Sequence, residues 1–218
     1  MKYQAVLWDL DGTLLNTLTD LTAATNATLA HFHCPARSQE QVRQFVGNGA
    51  KKLLEQALPG LPTDPPVEEA LCWFRAYYEK HNNRATQPYD GILEALATLQ
   101  RLGCKQAILS NKPDGAVKLL WRDYFQNTVA YAQGESPDCP RKPSPVMLEK
   151  AMEKLGVSRE ETVYIGDSEV DIATAKAANV ACISVLWGFR EKEELENAGA
   201  ARFCVHPAEL VEMIGYGK

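Results

Sequence analysis

The sequence predicts an α/β fold, a Rossmann-like parallel sheet core with helices on both faces and an inserted helical cap domain. Three observations predict it. Short β-rich runs alternate with helix-like segments over most of the chain. Those runs are nearly continuous in apolar residues, as parallel strands covered on both faces are. Between about Leu18 and Gln87 the alternation stops and only helical spacing remains.

Taken in order, the first strand is Gln4–Trp8, reached directly from the N-terminal Met-Lys. Leu18, Leu21, Thr25, Leu29 and Phe32 then fall on one helical face, and Gln41–Phe45, Ala50–Leu58 and Val67–Lys80 supply three more helical stretches. Pro59, Pro62, Pro65 and Pro66 punctuate the gap before the last of these. In Val67–Lys80 the aromatics Trp73, Phe74, Tyr77 and Tyr78 sit at helical spacing, which predicts cap core. His31-Phe32-His33-Cys34 has metal-binding residue types, but residues two apart on a helix do not face one another, so no zinc site is expected.

The alternating rhythm resumes near Pro88. Strands are predicted at Gln106–Leu109, Thr128–Tyr131, Thr162–Ile165, Ala181–Leu186 and Arg202–Val205. Helices are predicted at Ile92–Leu102, Ala116–Trp121, Pro145–Leu155, Ile172–Ala178 and Glu191–Ala198, with Gly103 and Gly156 as C-terminal glycines. The domains expected are therefore a core of residues 1–16 and 88–218 and a helical cap of residues 17–87. Asn16-Thr17 and Gln87-Pro88 would be the hinges of a lid.

Bulk properties narrow the function classes. A net charge of -5 argues against general nucleic-acid binding, which draws on clustered Lys and Arg. No stretch approaches the ~20 apolar residues of a membrane span, and the first apolar run is too short for a signal peptide. The six cysteines lack metal-ligand or C-x-x-C spacing, which fits a reducing cytoplasm.

The chemistry gathers where the strands end, the edge at which open α/β sheets bind ligands. The first strand runs into Asp9-Leu10-Asp11-Gly12-Thr13, the second into Ser110-Asn111-Lys112, and the fourth into Gly166-Asp167-Ser168, with Asp171 one turn on. Arg141-Lys142-Pro143 lies in the loop after the third. Two like charges ~4 Å apart repel by roughly 4 kcal/mol at an effective dielectric of 20, so this gathering of carboxylates calls for a cation or for proton uptake. Hard oxygen donors without His or Cys suit Mg²⁺ together with a substrate phosphate. Ser110 can donate to that phosphate and Lys142 can neutralise it. One aspartate can then act as nucleophile and the other as acid and base, an assignment the residues leave open.

These motifs resemble those of the haloacid dehalogenase-like hydrolases: D-x-D-G-T at Asp9–Thr13, the strand-end Ser110, Lys142, and G-D-x-x-x-D at Gly166–Asp171. The resemblance implies Asp9 as nucleophile, Asp11 as acid/base and Lys142 as the catalytic lysine. It also implies Mg²⁺ held by Asp9, the Asp11 main-chain carbonyl and Asp167, with Thr13 behind these ligands and Asp171 either behind them too or orienting Lys142. A helical cap between the first two motifs is similar to the subgroup, subfamily IA, that includes phosphoglycolate phosphatases and β-phosphoglucomutases. Phe45-Val46-Gly47-Asn48-Gly49-Ala50 resembles the cap segment of the former, so Gly47, Asn48 and Gly49 are expected to bind substrate together with Ser110 and Asn111. Lys51 and Lys52 are expected on a solvated face. Trp187-Gly188-Phe189-Arg190 is expected to pack under the cap, with the pocket wall as the alternative. The resemblance implies hydrolysis of a small phosphate monoester, phosphoglycolate first. Phosphosugar mutation is the alternative; other phosphatase substrates such as sugar phosphates, nucleotides or pyrophosphate also remain, and Asp11 opposes dehalogenation. The expected partner is a small phosphorylated metabolite, with no nucleic acid and no membrane, and the expected state is a monomer or weak dimer.

Overall fold

The computed structural model describes residues 2–58, 66–81 and 83–216. Pro59, Pro62 and Pro65 of the proline-punctuated gap lie outside them. The chain forms two compact units, one of Met1–Leu15 with Pro88–Lys218 and one of Asn16–Gln87.

In chain order the strands are β1 (Ala5–Trp8), β2 (Leu15–Asn16), β3 (Gln87–Pro88), β4 (Lys105–Pro113), β5 (Tyr131–Glu135), β6 (Thr162–Gly166), β7 (Ala181–Val185) and β8 (Phe203–Cys204). Six of them form one sheet in the order β5-β4-β1-β6-β7-β8, parallel throughout, while β2 pairs with β3. Alternate residues of β1 feed opposite cores. Val6 and Trp8 pack with Ile92, Leu96 and Leu99, whereas Ala5 and Leu7 pack with Met147, Leu148 and Ala151. Both faces of the central strand are thus dry, the condition its unbroken apolar run requires.

The second unit holds α1 (Leu18–His31), α2 (Gln39–Phe45), α3 (Gly49–Ala57) and α4 (Val67–His81). Ser38 caps α2 reciprocally with Gln41. The aromatic run of α4 divides: Phe74 and Tyr78 are buried, while Trp73 and Tyr77 extend a stack from His31 to His81. Lys51 pairs with Glu68 and Lys52 with Glu55 on exposed faces.

The first unit continues with α5 (Ile92–Arg101), α6 (Asp114–Tyr124), α7 (Val146–Leu155), α8 (Glu169–Ala178), α9 (Lys192–Asn197) and α10 (Pro207–Tyr216). Two expectations need correction. The third strand of the alternating half begins at Tyr131 rather than Thr128, because the amides of Thr128 and Val129 both donate to the Phe125 carbonyl in a turn. The helix α10 had no counterpart in the sequence reading, yet its Leu210 and Ile214 are fully buried beside α5.

Candidate active site

Register brings the strand ends level. Trp8 pairs with Ile108 on one side and Ile165 on the other, so Asp9 and Asp167 leave adjacent strands within two residues of this level, while Ser110 lies two residues past Ile108 inside β4, which runs on to Pro113 beyond the expected end at Leu109. The Asp9 amide still donates to the Ile165 carbonyl at 2.8 Å, which ties the nucleophile candidate to the sheet one residue beyond the end of β1. A tight turn follows, with the Leu14 and Leu15 amides both returning to the Leu10 carbonyl.

Gly12 is required in that turn. Its φ is +78°, and a Cβ there would lie 2.2 Å from Asp167 Oδ2. Gly188 closes the other side of the same carboxylate, since its Cβ would lie 2.2 Å from the Asp167 Cβ. The Phe189 amide donates to Asp167 Oδ2 at 2.8 Å, Thr13 Oγ1 donates to Oδ1 at 3.2 Å, and the Trp187 indole donates to the Thr13 carbonyl at 3.0 Å. The 187–190 loop is therefore a wall of this site, the alternative reading of its sequence. Its glycine approaches too closely to a carboxylate for any other residue to serve.

Two buried lysines divide the carboxylates. Lys142 Nζ lies 2.8 Å from Asp9 Oδ1 and 2.7 Å from Asp171 Oδ1. Lys112 Nζ lies 2.8 Å from Asp11 Oδ1, with the two side chains only 7% and 14% exposed. Asp171 is fully committed. Its Oδ1 also accepts from the Tyr164 hydroxyl, and its Oδ2 accepts from the Ser168 amide and hydroxyl. It therefore does more than complement a helix dipole. Asn111 clamps the Lys142 main chain, its Oδ1 accepting from Lys142 N at 2.7 Å and its Nδ2 donating to the Lys142 carbonyl at 3.2 Å. That bidentate pairing gives Asn111 a positioning job in addition to any substrate contact. Ser110 Oγ accepts the Lys112 amide at 3.2 Å, which leaves its own O–H to donate.

Asp9, Asp11, Thr13, Ser110, Asn111, Lys142, Asp167 and Asp171 all belong to the first unit. Gly47, Asn48 and Gly49 belong to the second, Gly47 and Asn48 before α3 and Gly49 as its first residue, and Gly47 and Gly49 have φ of 125° and 79°. Lys112, Tyr164, Gly188 and Phe189 were not singled out as site residues from sequence. Lys112, inside Ser110-Asn111-Lys112, and Gly188 and Phe189, inside a loop with the pocket wall as one reading, carried a signal there; Tyr164 carried none.

The electrostatics show a surplus of negative charge. Burial first, then Asp171, raises the Asp9 carboxyl well above the usual range, although Lys142 opposes the shift. Burial and Asp171 likewise push Asp167 up to about 7, against the Phe189 amide, Arg190 and Lys142. Burial also works against charge on Asp171, yet Lys142 and the hydrogen bonds from Lys142, Ser168 and Tyr164 hold that carboxyl low. Burial disfavours the Lys142 ammonium, but Asp171 and Asp9 outweigh it and keep the lysine charged.

Carboxylate oxygens of Asp9, Asp167 and Asp171 lie within 4.8 Å of one another. Four aspartates face two lysines, an excess that a divalent cation would balance. With Asp171 saturated, the oxygens that can serve such a cation are those of Asp9, whose bonds from the Leu10 amide and Lys142 both fall on Oδ1, and of Asp167. An all-oxygen donor set of this kind fits a hard ion.

This fold and this site define the chain's class. The family profile of the haloacid dehalogenase-like hydrolases matches residues 6–185, and the chain belongs to that family of enzymes. Within it, the chain is 36% identical to a phosphoglycolate phosphatase of Pseudomonas syringae pv. tomato, over 84% of this chain and 70% of that protein. It is 34% identical to the phosphoglycolate phosphatase of Colwellia psychrerythraea, over 90% of each. A crystal structure from Lactobacillus delbrueckii subsp. bulgaricus, solved under a provisional phosphoglycolate phosphatase assignment, superposes with a TM-score of 0.91 at 33% identity over 98% of this chain and 99% of that one. The phosphate complex of CbbY from Rhodobacter sphaeroides superposes with a TM-score of 0.76 at 25% identity, over 95% and 96%. Among the described residues, no helix is long and apolar enough to cross a membrane.

Proposed function

We propose that the protein is a Mg²⁺-dependent phosphatase that hydrolyses a small phosphate monoester through an aspartyl-phosphate on Asp9. The observation that carries this reading is the Asp9 carboxylate itself: one oxygen is held by Lys142 at 2.8 Å, and carboxylate oxygens of Asp9, Asp167 and Asp171 lie within 4.8 Å of one another. Phosphoglycolate is the first candidate substrate, supported by relatives of that name at about 35% identity.

In the first half-reaction an Asp9 oxygen attacks phosphorus, the bond to the ester oxygen breaks, and Asp11 gives the departing alkoxide its proton. Lys142 and the Ser110 hydroxyl offset charge on the phosphoryl oxygens. In the second, Asp11 takes a proton from water as that water attacks phosphorus, which frees the Asp9 carboxylate and inorganic phosphate. Lys112 holds the Asp11 side chain by its 2.8 Å ion pair. Mg²⁺ bound by Asp9, the Asp11 carbonyl and Asp167 would supply charge neutralisation for the phosphoryl group. Gly47, Asn48 and Gly49, in a cap of residues 17–87, would select the remainder of the substrate. The setting proposed is cytoplasmic, supported by six cysteines in the thiol form, and the state proposed is a monomer or weak dimer.

A panel of phosphoglycolate, sugar phosphates, nucleotides and pyrophosphate, assayed with Mg²⁺ for released phosphate, tests this reading. Turnover fastest on phosphoglycolate and abolished by EDTA is expected. Isomerised sugar phosphate without free phosphate would mean mutation instead, and activity that survives EDTA would refute the metal.

A further inference from the structure

Lys142 has three ammonium protons, and three acceptors surround it: Asp9 Oδ1 at 2.8 Å, Asp171 Oδ1 at 2.7 Å and the Tyr164 hydroxyl at 2.9 Å. Two of these are carboxylates of recognisable motifs. The third is a phenol in the middle of β6, in a segment that reads as plain strand, Thr162-Val163-Tyr164-Ile165. Tyr164 is fully buried, and its own proton goes to Asp171 Oδ1 at 2.8 Å. The lysine nitrogen, the phenol oxygen and one carboxylate oxygen therefore close a three-membered ring behind the nucleophile candidate.

The ring has a geometric consequence. An ammonium held at two points can turn about the line joining them, while one held at three cannot. Asp171 cannot rotate to accommodate such a turn, because its second oxygen accepts from Ser168 N at 3.1 Å and Ser168 Oγ at 2.6 Å. Burial, then the neighbouring Asp171 and Asp9, keep the phenol protonated far above its ordinary range, so it stays a neutral donor.

We propose that Tyr164 is a positioning residue whose hydroxyl fixes the Lys142 ammonium so that one N–H is aimed at Asp9. On the phosphohydrolase reading, which this inference deepens, the same N–H faces the arriving phosphoryl oxygen. The aromatic ring packs in the core with Leu7, Met147 and Ala151, so Tyr164→Phe removes the hydroxyl while leaving that packing in place.

Two measurements test the proposal. In ¹⁵N-lysine-labelled protein, a buried and triply bonded ammonium gives a slowly exchanging signal, assigned to Lys142 by its loss in Lys142→Met. Tyr164→Phe is expected to speed that exchange about tenfold, the effect of losing one buried hydrogen bond. An unchanged exchange rate overturns the proposal. In steady-state hydrolysis of p-nitrophenyl phosphate with Mg²⁺, Tyr164→Phe is expected to lower kcat about tenfold with KM within about twofold. It is expected to add no further loss in a Lys142→Met background. A loss of equal factor in both backgrounds, or none in the wild-type one, also overturns it. If the wild-type protein hydrolyses no phosphate ester, the phosphohydrolase reading fails while the exchange measurement still decides the role of Tyr164; it decides alone if Lys142→Met leaves no turnover.

Discussion

At the scale of single residues, the site works by giving each aspartate a different neighbour. Asp171 is saturated by Lys142, Tyr164 and Ser168 and serves as an anchor. Asp9 shares Lys142 through one oxygen only, Asp167 is held by neutral donors, and Asp11 has its own lysine. Identical side chains thereby acquire separate tasks. Lys112→Met should leave Asp11 without its ion-pair partner and lower kcat on an alkyl phosphate by about tenfold to a hundredfold, the range spanned by partial loss of acid/base catalysis. The loss should be smaller on p-nitrophenyl phosphate, whose leaving group needs no proton, and the ratio of the two rates measures it. The motif aspartates, Ser110 and Lys142 were legible in the sequence because their chemistry is unusual at strand ends. Tyr164 was not, because a tyrosine in a strand has an ordinary structural explanation, and Gly188 was legible only as part of a loop with two readings. Only their distances to Asp171 and Asp167 reveal them.

At the scale of elements, the sheet register sets the site, and buried polar anchors set the segments around it. Asp20, on α1 and 5% exposed, shows the principle inside the second unit. Its carboxylate accepts from the amides of Arg84, Ala85 and Thr86 and from the Thr86 hydroxyl, and so holds the segment that leads into β3. Asp20→Ala should strand those buried donors and cost about 3 kcal/mol, the scale of charged hydrogen bonds lost without replacement. Hydrogen exchange at residues 84–86 should rise well above that of the α1 amides; equal protection in both proteins would contradict this role. The strand and helix alternation was readable from apolar periodicity, but boundaries were not. Thr128 and Val129 have strand-forming side chains, yet the Phe125 carbonyl captures both amides in a turn. Asp20 gave no signal at all, since its partners lie more than sixty residues away in the chain.

At the scale of the whole molecule, two linked properties follow from the buried negative charge. The folded Asp167 carboxyl titrates near about 7 and an unfolded one near about 3.9, so the folded state binds the extra proton between these values. The stability it contributes is full below about pH 4 and lost as pH rises through about 7. Metal-free protein should therefore melt at a lower temperature at pH 8 than at pH 5, relative to Asp167→Asn. Added Mg²⁺ should raise the wild-type melting temperature more at pH 8 than at pH 5, because binding needs the ionised form. Equal shifts at both pH values would contradict the assignment of Asp167. The fold class was legible as a whole because parallel strands and covering helices impose patterns that run the length of the chain; the surplus of carboxylates was legible too, but not which of them is pushed toward protonation, because burial depends on which loops close over each. The central claim is that phosphate passes through a covalent bond to Asp9. Rapid quenching of the enzyme during turnover of ³²P-labelled substrate, followed by peptide mapping, tests it most directly. Acid-stable, base-labile label on the peptide containing Asp9, absent in Asp9→Asn, is the predicted result; turnover at the wild-type rate by Asp9→Asn, with no labelled peptide, would contradict it.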